Sequence, residues 1–95
     1  MTRPERIDAG TVDQALASAG SPWVREGDRL TLTRRFGSFA EAIAFVNDVA
    51  ALADAANHHP DIEVHYDTVS LSVSTHDAGG LTALDLDLAA AIAAR

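Results

Sequence analysis

The chain of 95 residues has no cysteine and no lysine. Without cysteine there is no disulfide and no Cys-based metal site. Without either residue, few groups remain that move a proton near neutral pH. Positive charge is scarce as well. All seven basic residues are arginine, set against fourteen acidic ones, for a formal net charge of −7 with histidine neutral. That argues against a nucleic-acid surface, which needs clustered positive charge. Only Arg34 and Arg35 are adjacent, and such a pair reads as the solvated side of a strand. Long apolar runs are also missing: none reaches the roughly 18 residues of a membrane span. Met1 to Arg6 is charged with no apolar stretch behind it, so no secretory signal is expected and the expected location is cytoplasmic.

Hydrophobic residues make up 47% of the chain, and alanine is abundant. That composition and length predict one globular domain, residues 1–95, with 1–10 a loose lead-in. Thr11-Val-Asp-Gln14 has the form of a capping box, predicting a short helix from Val12 to about Ala19 with Leu16 inward. Gly20-Ser21-Pro22 ends it. Trp23-Val24-Arg25 is a short strand, Glu26-Gly27-Asp28 a turn, and Leu30 to Phe36 a second, alternating strand. On that strand Arg34 is a misfit on the apolar side. Ser38-Phe-Ala-Glu41 predicts a second capping box and a helix to about Asn57. Phe39, Ile43, Val46 and Ala50 recur at helical spacing on one side of it, and Phe45, Val49 and Leu52 on another. One small sheet covers only one of these sides, so the helix predicts a partner subunit.

Pro60 stops that helix, because the residue before proline is driven out of the α region. Asp61 to Asp67 alternates, with Ile62, Val64 and Tyr66 inward, and Val69, Leu71 and Val73 alternate with serines. The two runs predict a hairpin. Ala78-Gly79-Gly80 is a turn, and Thr82-Ala-Leu-Asp85 opens a last helix with Leu84, Leu88, Ala91 and Ile92 inward. The predicted order is α-β-β-α-β-β-α. It indicates an α+β fold: a four-stranded antiparallel sheet with helices packed on one face.

The four histidines, His58, His59, His65 and His76, all lie within about thirty residues. The second hairpin folds the His58-His59 corner back toward His76, and the Gly79-Gly80 turn returns Asp85 toward His76. Imidazole titrates near 6.5 and serves as acid or base, so this cluster suits proton transfer. Each residue has a plainer reading too. His58-His59 suits a helix C-terminus, Asp85 a helix cap, Asp54 an exposed helix position, Tyr66 the core and His65 a solvated strand face. Strand parity turns His76 away from the helices, which puts a pocket at the sheet's edge.

Asp54-x3-His58-His59-Pro60-x5-Tyr66-x9-His76-x8-Asp85 resembles the signature of the pterin-4a-carbinolamine dehydratases. Phe36, Phe39, Ser74-Thr75-His76, Gly80-Leu81-Thr82 and Leu88-Ala89 are similar to that family's flanks, and Trp23 stands where the family often has Gly-Trp. The resemblance spans about residues 20–92. It implies a hydro-lyase that removes water from 4a-hydroxytetrahydropterin to give quinonoid dihydropterin, in tetrahydrobiopterin recycling, with no metal and no organic cofactor. It also implies dimers or tetramers through the 38–57 helix and the sheet edge, and a functional link to an aromatic amino-acid hydroxylase. By resemblance, His58 and His76 carry the acid–base work, His59 positions substrate and Asp85 supports His76. Asp54 contacts the pterin or holds the histidine corner, and Ser74 and Thr75 offer backbone or hydroxyl hydrogen bonds. Asp54 is shorter than the glutamate of many relatives, and Leu84 stands where some carry arginine. Two other classes remain: a non-catalytic dimerisation or regulatory protein of the same fold, and a His/Asp metal-binding module.

Overall fold

A computed structural model describes residues 5–95. The elements are α1 (Ala9–Ala19), β1 (Val24–Glu26), β2 (Arg29–Arg35), α2 (Phe39–Ala56), β3 (Asp61–His65), β4 (Thr68–Val73), a short 3-10 turn (His76–Ala78) and α3 (Ala83–Ala93). The four strands form one antiparallel sheet in the order β1-β2-β4-β3. This is the α+β architecture that the alternation and caps imply.

Each hairpin closes on two residues. Gly27 and Asp28 join β1 to β2, with Gly27 at a φ of 60° that glycine adopts without a Cβ clash. Tyr66 and Asp67 join β3 to β4, one residue earlier than expected, and Tyr66 takes a φ of 54°. The strand alternation then sorts the faces. Leu30, Leu32, Val69, Leu71 and Val73 are buried against the helices, while Thr31, Thr33, Ser70 and Ser72 lie on the open face.

The long helix settles which of its two apolar sides meets this core. Ala42, Phe45, Val49 and Ala53 are buried. Phe39 stays 51% exposed, Ile43 and Val46 are half-buried and Ala50 is exposed. One side is thus covered by the chain itself and the other only in part. The Ser38 hydroxyl accepts from the Glu41 N–H, as a cap should, but the Glu41 carboxylate takes the Gly37 N–H at 2.8 Å instead of the Ser38 N–H. The helix end is therefore satisfied one residue further out than in a capping box.

Several local expectations change for tertiary reasons. The cap of α1 is Asp8, whose carboxylate accepts from both the N–H and the hydroxyl of Thr11, so the helix starts at Ala9. Residues 5–10 are not loose: the Ile7 N–H bonds to the Leu81 carbonyl at 2.7 Å, and Arg6 pairs with Asp28. The expected lead-in over 1–4 lies outside the described residues. Trp23 is buried just before β1, which starts at Val24. Arg34, the misfit, lays its guanidinium over the Phe45 ring at 4.7 Å and donates to the Arg95 carbonyl. A cation over an aromatic face keeps its charge while covering apolar surface. Tyr66 is not core. It occupies the hairpin turn and is 71% exposed. Ile62, on edge strand β3, and Leu84, in the first turn of α3, are each 37% exposed rather than inward.

Candidate active site

The site begins where α2 ends. Asn57 takes the left-handed conformation that asparagine tolerates, and its N–H and that of His58 both return to the Ala53 carbonyl. This closure fixes the backbone of His58 before Pro60 starts the run into β3. On the far side of the hairpin, β4 leads to Thr75, which bridges to Gly80 in a tight loop that carries His76. Gly79 supplies the φ of 69° that lets the loop close. Thr82 then caps α3, with Asp85 at the third helical position in a full capping box.

These elements meet at Asp85, whose side chain is fully buried. Its Oδ1 lies 2.6 Å from His58 Nε2, and the His58 side chain is 12% exposed. Its Oδ2 accepts the Thr75 hydroxyl at 2.7 Å and the Thr82 N–H at 2.9 Å. A buried carboxylate is tolerated when its lone pairs are met by donors in this way. Sequence reasoning gave Asp85 to His76. The structure gives it to His58, because the 76–82 loop turns the first turn of α3 toward the end of α2.

His59 points elsewhere. Its Nε2 lies 3.0 Å from Asp54 Oδ1, one helical turn back, with both side chains largely in solvent. Asp54 is therefore in contact with the histidine corner. His76 is exposed at the start of the 3-10 turn, and no side-chain hydrogen bond holds it among the described residues. It is covalently next to Thr75, which touches Asp85, so it belongs to the same corner. Ser74 is half-buried between β4 and Thr75. The Thr75 hydroxyl is buried and committed to Asp85 and Thr82. The Thr75 backbone N–H and carbonyl are taken up within the loop by Gly80 and Ala78, so of the two residues Ser74 is the one left for a substrate. His65 is exposed on β3, as strand parity requires.

Among the described residues no group of three or more His, Cys, Asp or Glu side chains is placed to hold a metal ion. The two His–carboxylate contacts are separate pairs. A cavity of about 500 Å³ lies between α1 and α3, lined by alanines with Leu16 and Leu86, and no histidine touches it. The chemistry-bearing side chains instead sit at the surface corner where α2, β4 and α3 converge.

Residues 5–95 match the family profile of pterin 4 alpha carbinolamine dehydratase. The chain belongs to that family. A relative from Trichormus variabilis is 53% identical over 79 residues, covering 83% of this chain and 85% of its own. One from Roseiflexus castenholzii is 57% identical over 70 residues, covering 74% and 75%. Both bear the name pterin-4-alpha-carbinolamine dehydratase provisionally. The crystal structure of a transcriptional coactivator/pterin dehydratase from Brucella melitensis superposes with a TM-score of 0.85 at 28% identity, covering 95% of this chain and 97% of that one. A pterin dehydratase-like protein that is a RuBisCO assembly factor in the alpha-carboxysome matches with a TM-score of 0.62 at 25% identity, over 76% and 83%. The pterin dehydratase fold thus serves proteins named for more than one task. Sequence reasoning missed one participant, Thr82, read there only as a helix cap. The signal was present, since an N-cap threonine with aspartate three residues on already ties the two together.

Proposed function

We propose that this protein is a 4a-hydroxytetrahydropterin dehydratase that works by histidine acid–base catalysis. The observation that carries the reading is the 2.6 Å contact between His58 Nε2 and the buried Asp85 carboxylate. An Nε2–H donated to a carboxylate fixes the imidazole tautomer, so the neutral ring presents an unprotonated Nδ1. His58 Nδ1, with no partner among the described residues, then takes the proton from N5 of the substrate. His76 donates a proton to the 4a-hydroxyl. The C4a–O bond breaks, water leaves, and C4a=N5 forms to give the quinonoid dihydropterin. His59, steadied by Asp54, positions the ring, and Ser74 offers hydrogen bonds to it. The residues themselves supply acid and base, so the reading needs no metal and no organic cofactor. In this reading the protein serves tetrahydrobiopterin recycling beside an aromatic amino-acid hydroxylase.

The test is stopped-flow dehydration of freshly generated 4a-hydroxytetrahydropterin, with and without chelator. Wild-type protein should accelerate it equally in both. His58→Ala and His76→Ala should each lower the rate by at least about 10²-fold with the fold intact. Near-wild-type turnover in either variant refutes the assignment, and loss of activity on chelation favours metal chemistry.

The same reading includes a homodimer or homotetramer. Its support is the open side of α2, where Phe39, Ile43, Val46 and Ala50 stay uncovered or half-covered, together with the unpaired edge of β3. Phe39→Asp places a favourable acid in the first helical turn and a charge on this side. Light scattering should show a smaller assembly, and an unchanged mass would remove α2 from the contact.

A further inference from the structure

The carboxylate that orients His58 is itself held by the Thr75 hydroxyl, which in turn meets the Thr82 hydroxyl, and the dehydration chemistry specifies a role for neither. Thr75 Oγ1 lies 2.7 Å from Asp85 Oδ2 and 2.8 Å from Thr82 Oγ1, and Thr75, Thr82 and Asp85 are all buried. Each hydroxyl has one proton to give. A carboxylate has none, so the Thr75 proton goes to Asp85 Oδ2. The contact between the two hydroxyls must then be made by the Thr82 proton. Thr82 Oγ1 keeps a lone pair for the Leu84 N–H at 3.2 Å. The order is fixed by counting: Thr82 donates to Thr75, and Thr75 donates to Asp85.

We infer that Thr75 and Thr82 are positioning residues that act through Asp85 on His58. The inference rests on the dehydratase reading for its kinetic consequence, but not for its structural one. Oδ2 receives the Thr75 hydroxyl and the Thr82 N–H together. Rotating the carboxylate so that Oδ1 leaves His58 breaks both bonds in a buried setting, where an unmet polar group is costly. The relay therefore locks Oδ1 onto His58 Nε2 and keeps the lone pair on Nδ1. It also ties the backbone that bears His76 to the helix that bears Asp85, so both proposed proton-transfer histidines depend on it.

The experiment reads the His58 tautomer from long-range ¹H–¹⁵N correlations of the imidazole, alongside dehydration kinetics, for wild type, Thr75→Val and Thr75→Ser. Wild-type His58 should carry its proton on Nε2. Thr75→Val should populate the Nδ1–H form and lower kcat by about tenfold, with KM within about twofold. Thr75→Ser, which keeps the hydroxyl, should restore both. A wild-type His58 protonated on Nδ1 overturns the relay. So does a valine variant with wild-type tautomer and kcat, or a serine variant as defective as valine. If the valine variant does not fold, the wild-type tautomer and the serine variant still decide. If wild type shows no dehydration, the functional reading falls while the tautomer measurements judge the relay alone.

Discussion

His58 and His59 are neighbours in the chain, and each faces a carboxylate within 3.0 Å. Their surroundings are opposite. The His58–Asp85 pair is 12% and 0% exposed, whereas the His59–Asp54 pair is 58% and 80% exposed. The first joins elements 27 residues apart and is backed by Thr75 and Thr82. The second is a contact within one helix end. Water screens the exposed pair and competes for its hydrogen bonds. The buried pair keeps its geometry because its remaining lone pairs are filled and rearrangement has nowhere to go. Similar chemistry at adjacent positions therefore gives one fixed imidazole and one adjustable one. A dehydration that needs a base of defined tautomer and a mobile contact to substrate can use both.

The sharpest way to break this comparison is to remove the buried carboxylate. Asp85→Ala leaves the Thr75 hydroxyl and the Thr82 N–H without their acceptor. Unfolding in urea should show a loss of about 3 kcal/mol, and dehydration should fall by at least about 10²-fold. A variant within 1 kcal/mol of wild type would mean that the buried network contributes little to the fold, contrary to its geometry. Removing the exposed carboxylate should be far milder. Asp54→Ala should cost less than about 1 kcal/mol, and what it does cost should shrink in high salt. Its effect should fall on KM more than on kcat. Equal losses in the two variants would erase the distinction between the pairs.

The smallest expected effect concerns carboxylates away from the candidate site. The Arg25 guanidinium beside Asp13, the Arg35 guanidinium beside Asp67 and the Thr11 hydroxyl on Asp8 each hold an aspartate below its ordinary pKa of 3.8. A carboxyl whose pKa is lower folded than unfolded stabilises above the unfolded value. That contribution disappears as pH falls from about 4 through the depressed native values. Acid titration of stability should show a shallow loss there, and Asp13→Asn should flatten it slightly. An unchanged titration in Asp13→Asn would leave its pair with Arg25 no part in acid sensitivity.

Much of the fold was legible because its signals are local. Ser38 and Thr82 cap helices where a hydroxyl precedes an apolar period, Gly27 closes a hairpin, Pro60 ends α2, and β4 alternates without a break. Thr11 misled because Asp8, three residues earlier, offers the Thr11 N–H a carboxylate and captures the helix start. Tyr66 misled because alternation was carried one residue too far, into a two-residue turn. Of the candidate site, the sequence makes legible which residues gather. His58, His59, His76 and Asp85 stand out by their spacing and by the family resemblance, but the resemblance gives Asp85 to His76 where the structure gives it to His58. Spacing along a chain says which elements are close, but not which side chain on each points inward.

The sequence by itself determined the elements and their order, because caps, turns and periodicity act within a few residues. Only the tertiary structure decided which side of α2 meets the sheet, why Arg34 sits on an apolar face, and which histidine receives the buried carboxylate. Those outcomes depend on packing between elements far apart in the chain. There a single rotation of a helix exchanges one neighbour for another without changing any local signal.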